Sequence, residues 1–193
     1  MREYLEPSQF IDWQEPDIRK LAAGLAKGNQ CDNEIAKACF EFVRDEIKHS
    51  WDYRLDPVTI KASDVLKYGT GYCYAKSHLL AALLRANGIP AALCYQRLTI
   101  TDVPPYCIHG LNAIYLKNYG WYRVDSRGNK EGVHAEFAPP VECLAFGLVD
   151  HGECDIEGIY SSPHPAIVNF LNSCDTVRRV FDRLSESDFT IHR

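Results

Sequence analysis

Apolar residues recur at helical spacing through the first half of the chain and at strand spacing just past its middle. In EPDIRKLAAGLAKG, Pro16 opens and Gly28 closes a stretch whose Ile18, Leu21, Ala22 and Leu25 share one side, which predicts a first helix. CDNEIAKACFEFVRDEIKHS repeats the pattern more strongly. Asp32 or Asn33 is its expected cap, and Ile35, Cys39, Phe42, Val43 and Ile47 form its stripe. Ser63 is expected to cap a short helix through DVLKY that ends at Gly69 and Gly71. AKSHLLAALLRANGIPA then shows a broad apolar face over Leu79, Leu80, Leu83, Leu84 and Ala86, closed by Asn87-Gly88 ahead of Pro90.

Beyond that point the period changes from 3.6 to 2. AALCYQRLTI reads as a strand and TDVPPYC as a loop. HGLNAIYL and GWYRVD, joined by a KNY turn, read as a β-hairpin. After about residue 130 no long period persists, so loops and short elements over the core are expected. A last helix is expected in SCDTVRRVFDRL, with Ser173 as cap and Val177, Val180, Phe181 and Leu184 apolar. Helices ahead of an antiparallel sheet imply an α+β fold. At 193 residues the expectation is one domain, with helices over 16–48, a core near 60–130 and loops plus a helix over 131–193.

Composition narrows the function class. Hydrophobic residues make up 46% and charged residues 24%, which suits a soluble globular chain. The net charge of -5 and the scatter of the 21 basic residues argue against a nucleic-acid partner. The polar, acidic start MREYLEPSQFIDWQEPD has no signal-peptide core, and no run approaches a membrane span. A cytoplasmic location and no membrane partner are therefore expected. The eight cysteines lie mostly in apolar-periodic segments of a chain large enough to fold without staples, and are read as reduced thiols. Cys107 with His109, and Cys143 with His151 and Cys154, lack the paired spacing of a structural zinc site, so no metal is expected. The absence of a phosphate-binding glycine motif gives no reason to expect a nucleotide cofactor. His134, His151, His164 and His192 fall in loop-like or terminal text and are read as solvated.

One cysteine stands apart. In GTGYCYA, Cys73 follows two glycines and falls within a turn of a helix N-terminus, where the helix dipole and free N–H groups favour a thiolate. Gly69 and Gly71 are expected to permit a sharp approach and leave room for a substrate carbonyl. The competing reading is a small residue tucked at a helix start. A nucleophile needs a base and the base an orienting group. His109 at the start of one hairpin strand and Asp125 at the end of the other are equidistant from Lys117. A turn centred near Asn118 sets them on one face as diagonal neighbours, and a turn half a residue away splits them between faces. Arg127 and Asn129 either line the cleft or form a turn.

The three blocks GTGYCYAKSHLLAALLRANGIPA, HGLNAIYL and GWYRVDSRGN, in that order, resemble the core of the transglutaminase-like superfamily, relatives of papain-type cysteine proteases. The resemblance covers about residues 60 to 130. It implies a nucleophile helix packed on an antiparallel sheet, with Cys73 as nucleophile, His109 as base and Asp125 as orienter. The chain departs from the family where an Asp or Glu often follows the cysteine, having Lys76 and His78 instead. The implied reaction is thiol-dependent acyl transfer or amide hydrolysis through an acyl-thioester on a peptide or protein substrate, without a cofactor. The Cys73 backbone N–H and a second donor would hold the oxyanion. Trp51, His49 and Gln96 are the candidates for that donor, with core packing the competing role for Trp51. Transamidation, a deglycosylating amidase and a non-enzymatic binding module on the same fold are the alternatives.

Overall fold

The computed structural model describes residues 1–188, so His192 lies outside the described residues. Helices α1 (Pro16–Ala26) and α2 (Asp32–Glu46) precede a two-residue strand β1 (Lys48–His49), a single turn α3 (Ser50–Tyr53) and α4 (Ala62–Tyr68). A second short strand, β2 (Thr70–Gly71), leads directly into α5 (Cys73–Ala86). The sheet strands follow as β3 (Ala91–Thr99), β4 (Tyr106–Leu116) and β5 (Gly120–Val124). Short pieces complete the order: β6 (Glu136–Ala138), β7 (Val141–Cys143), β8 (Cys154–Asp155), α6 (Pro165–Asn172) and α7 (Val177–Asp182).

Four strands form an antiparallel sheet in the order β5-β4-β3-β8. Helix α5 packs on this sheet and against α1, α2 and α4. Every residue from Cys73 to Arg85 is buried, so the expected apolar face is in fact a helix enclosed on all sides. Its polar residues are therefore committed to internal partners. Arg85, 3% exposed, donates to the carbonyls of Glu6, Ala91 and Ser161 at 2.7–3.0 Å, tying the N-terminal segment, β3 and the 161 loop to one guanidinium. His78 makes a 2.7 Å bond to the Ile60 carbonyl, and burial lowers its pKa to about 4, which keeps it neutral.

Several local expectations shift. Cys31, not Asp32 or Asn33, is the residue ahead of α2. Ser63 lies inside α4, and both its N–H and its hydroxyl donate to the Asp12 carboxylate, which supplies the missing cap from 51 residues away. Ser173 closes α6, whereas Thr176 caps α7 by accepting from Arg179 N. His164 is half-buried and caps α6, accepting from Ala166 N, while His134 and His151 are exposed. Helix α6 and strands β6 to β8 carry no long periodicity. They form because a sheet edge and core were already present to receive them.

Candidate active site

Cys73 is the first residue of α5, and Tyr72 ahead of it supplies no side-chain cap. The N–H groups of that first turn consequently have no capping acceptor, and the helix dipole is directed at the thiol. Two close approaches hold the end in place. A Cβ on Gly71 would sit 3.2 Å from Ala75 Cβ and Thr59 Oγ1, and one on Gly110 would sit 3.1 Å from Tyr74 Cα. Gly71 is buried and does not line the cleft, so it serves backbone packing and not substrate room.

The hairpin register is Asn112 to Val124 and Leu116 to Gly120, which centres the turn at Asn118. His109 and Asp125 thereby become diagonal neighbours on one face. Both strands end differently from the expectation: β4 begins at Tyr106, ahead of His109, and Asp125 lies just past β5. His109 Nε2 and Asp125 Oδ2 are 2.7 Å apart. Asp125, fully buried, also accepts from Arg127 N at 3.1 Å and Ala145 N at 3.3 Å. Burial alone would raise its pKa, but the His109 charge and these hydrogen bonds hold it below the usual carboxylate value. Burial opposes a charge on His109 too. The Asp125 carboxylate, and a Cys73 side chain within hydrogen-bond reach of the same ring, outweigh it and raise His109 to about 10. With Nε2 engaged by Asp125, Nδ1 is the nitrogen left to serve the thiol. Phe146 closes over the imidazole edge-on, with ring centroids 5.1 Å apart.

Cys73 and His109 open into a cleft of about 570 Å³. Of the three second-donor candidates, two reach it. His49 lines the cleft and is set beside the nucleophile loop by the parallel β1–β2 pair, in which it faces Gly71. It is 7% exposed, and its Nδ1 is buried without a hydrogen bond, 3.5 Å from Asp52 Oδ2. Burial, reinforced by the Arg127 charge, lowers its pKa well below normal, so it is a neutral imidazole with one N–H to give. Trp51 also lines the cleft, but its ring is stacked on Phe181 at 3.6 Å and covered by the Arg54 guanidinium at 3.2 Å. Gln96 pairs with His109 across β3 and β4, yet its Nε2 donates to Asp155 at 2.9 Å and it does not line the cleft.

Of the two roles open to Arg127 and Asn129, each residue takes one, and the Asp52 clamp, the Lys76 contacts and the C-terminal wall are additions that the sequence reading lacked. Arg127 lines the cleft and, together with Lys130, clamps Asp52 at 2.7 and 2.8 Å, whereas Asn129 forms a turn with Ala135. Against the effect of burial, those two cations bring the Asp52 carboxyl to about 2. Lys76, fully buried, donates to the main-chain carbonyls of Arg44 and Ile47 at the end of α2. Burial and the nearby Arg127 lower it to about 7. The third addition is the C-terminal segment, whose Phe181 and Leu184 form part of the cleft wall. The signals present in the sequence were a lysine inside an apolar helix, Arg127 two residues after Asp125, and the apolar Phe181 and Leu184 of the last expected helix.

Comparison with known proteins agrees with this architecture. A candidate cysteine protease from Cytophaga hutchinsonii shares it at a TM-score of 0.52 and 21% identity, over 64% of this chain and 40% of that one. The periplasmic domain of TgpA from Pseudomonas aeruginosa matches at 0.49 and 19% identity, over 65% of this chain and 45% of that one. The chain thus spans less than half the length of either structure. No curated protein matches it. The family model described as the transglutaminase-like superfamily matches residues 19–126, a span that includes Cys73, His109 and Asp125. A match over more than half of the sequence, on a fold that such a structure shares, means that the chain belongs to the transglutaminase-like superfamily.

Proposed function

We propose that the chain is a thiol-dependent hydrolase of peptide or amide bonds, acting as one domain through Cys73, His109 and Asp125. The observation that carries this reading is the 2.7 Å His109–Asp125 pair at the helix end that begins with Cys73. Asp125 orients His109 through Nε2 and stabilises its charged form, so His109 takes the Cys73 proton at its other nitrogen. The thiolate attacks the carbonyl carbon, and the oxyanion is held by the Cys73 N–H and the His49 imidazole N–H. The protonated His109 then returns its proton to the leaving amine, an acyl-thioester forms, and water releases the acid. Eight free cysteines support a reducing, cytoplasmic setting.

The test is iodoacetamide labelling of every cysteine as a function of pH, read by peptide mass spectrometry, with His109→Ala beside the native protein. The expected result is fast labelling of Cys73 alone below pH 7, slowed in the variant. Cys73 labelling no faster than the exposed Cys31 and Cys154 would favour the binding-module alternative.

A further inference from the structure

The family-matched region ends at residue 126, yet much of the cleft wall comes from later residues. Helix α7 has six residues and is followed by a 3-10 turn, Leu184–Ser187, so neither holds its shape by local propensity. What holds them is the neighbourhood of the nucleophile. Tyr72 Oη donates to the Val177 carbonyl at 2.8 Å. Tyr74 Oη donates to the Ile108 carbonyl and lies 3.4 Å from Ser187 Oγ, which itself accepts from Ile108 N at 3.0 Å. Arg97 grips Asp188 at 2.8 and 2.7 Å, and Trp51 stacks on Phe181 with 5° between the rings. Both tyrosines that flank Cys73 are therefore anchors for the segment 177–188.

The polar groups of this segment bond to those anchors or pair with one another, Arg178 with Asp182 among them. Ser187 and Asp188 bond to β4 and β3, and Arg183 pairs with Glu186. Phe181 and Leu184, each only half-buried, face the cleft, as does the half-buried Ile100. The same cleft carries charged side chains, of which Arg127 and Lys130 are paired with Asp52, and Glu153 with Thr99 N and Val149 N. A charged substrate group set against the carbon of Phe181 and Leu184 would therefore lose its water without a free partner there, whereas an apolar one gains by burial.

We propose that Phe181, Leu184 and Ile100 form a subsite for a bulky apolar side chain, Leu- or Phe-like, on a residue next to the scissile amide. The inference rests on the hydrolase reading for its reaction but not for its binding surface. Phe181 and Leu184 lie outside the family-matched residues and Ile100 within them, so the selectivity that the first two confer belongs to this chain's own C-terminal segment.

The experiment measures the rate at which Cys73 is alkylated by a set of acetyl-dipeptidyl chloromethyl ketones that differ only in one side chain: Leu, Phe, Ala, Asp or Lys. The Leu and Phe reagents are expected to react on the order of ten- to a hundred-fold faster than the Asp reagent. Leu184→Glu should cut that advantage by about tenfold or more and favour the Lys reagent, each rate being taken relative to the iodoacetamide rate at Cys73 of the same variant. Equal rates across the set, or a preference untouched by Leu184→Glu, would overturn the subsite while leaving the nucleophile in place. If Cys73 resists iodoacetamide as well, the hydrolase reading fails separately. Acetyl-Phe-amide and acetyl-Asp-amide binding to the Cys73→Ala protein, followed by NMR shifts at residues 181 and 184, then decides: shifts with the Phe amide alone support the subsite, and none overturns it.

Discussion

The two ends of α5 treat buried polarity in opposite ways. At the C-terminal end, Arg85 is surrounded by three main-chain carbonyls that absorb its donors. At the N-terminal end, His49 Nδ1 is buried with no hydrogen bond beside the cleft that Cys73 and His109 line, and Ser126 Oγ, next to Asp125 in the chain, is buried and unpaired too. Buried polar atoms are normally satisfied, because leaving one unmet costs about 1–3 kcal/mol. The saturated end is a clamp for the fold. The unsaturated end stores polarity that a reacting group can use.

Substitutions at each end should separate the two roles. Cys73→Ala is expected to lower any amide hydrolysis by at least about 10⁴-fold, while its unfolding midpoint in urea stays within about 1 kcal/mol of the native protein. A comparable loss of stability would erase the contrast. Arg85→Met works at the other end and leaves the carbonyls of Glu6, Ala91 and Ser161 without their donor. It should cost about 3 kcal/mol in the same urea titration, with the iodoacetamide rate at Cys73 unaltered in the protein that remains folded. Cys39 offers a smaller contrast, being a fully buried thiol whose pKa burial pushes up to about 12. Cys39→Ser should cost about 1–2 kcal/mol and leave Cys73 labelling intact.

The smallest effect is one of slope. His109 is raised to about 10, so it contributes stability that is complete below its unfolded value near 6.5 and is lost as pH rises through 10. Lys76 is lowered to about 7 and works the other way, because between pH 7 and 10 the unfolded chain binds the proton that the folded one has released. The two slopes oppose each other over the same window. Lys76→Met should therefore expose the His109 slope, with stability falling more steeply from pH 7 to 10 than in the native protein. An unchanged or reversed slope in urea midpoints across that range would show that these groups do not govern it.

The sequence carried the helices and the hairpin because their periodicity is local and long. Lys117 to Tyr119 allowed two turn centres, and only the β4–β5 register selected Asn118 and thereby one face for His109 and Asp125. Helix α6 was missed. It has eight residues, and its cap is the His164 side chain in place of a usual Ser or Asp. Strand β8 is two residues that take strand form by pairing with Gln96 and Arg97, so no local pattern could announce it. The same pairing draws Gln96 to Asp155, which a reading of Gln96 as a cleft donor had no means to foresee.

The order of the motifs around Cys73, His109 and Asp125, the α+β succession and the broad apolar face of α5 were properties of the sequence by itself, since each depends on residue type and short spacing. The tertiary structure alone decided the rest: which nitrogen of His109 meets Asp125, that His49 and not Gln96 stands at the cleft, that Lys76 reaches the end of α2, and that Phe181 and Leu184 close the wall. Each of these joins residues from 16 to more than a hundred positions apart. Such contacts are set by how the elements pack, and residue spacing along the chain holds no record of that packing.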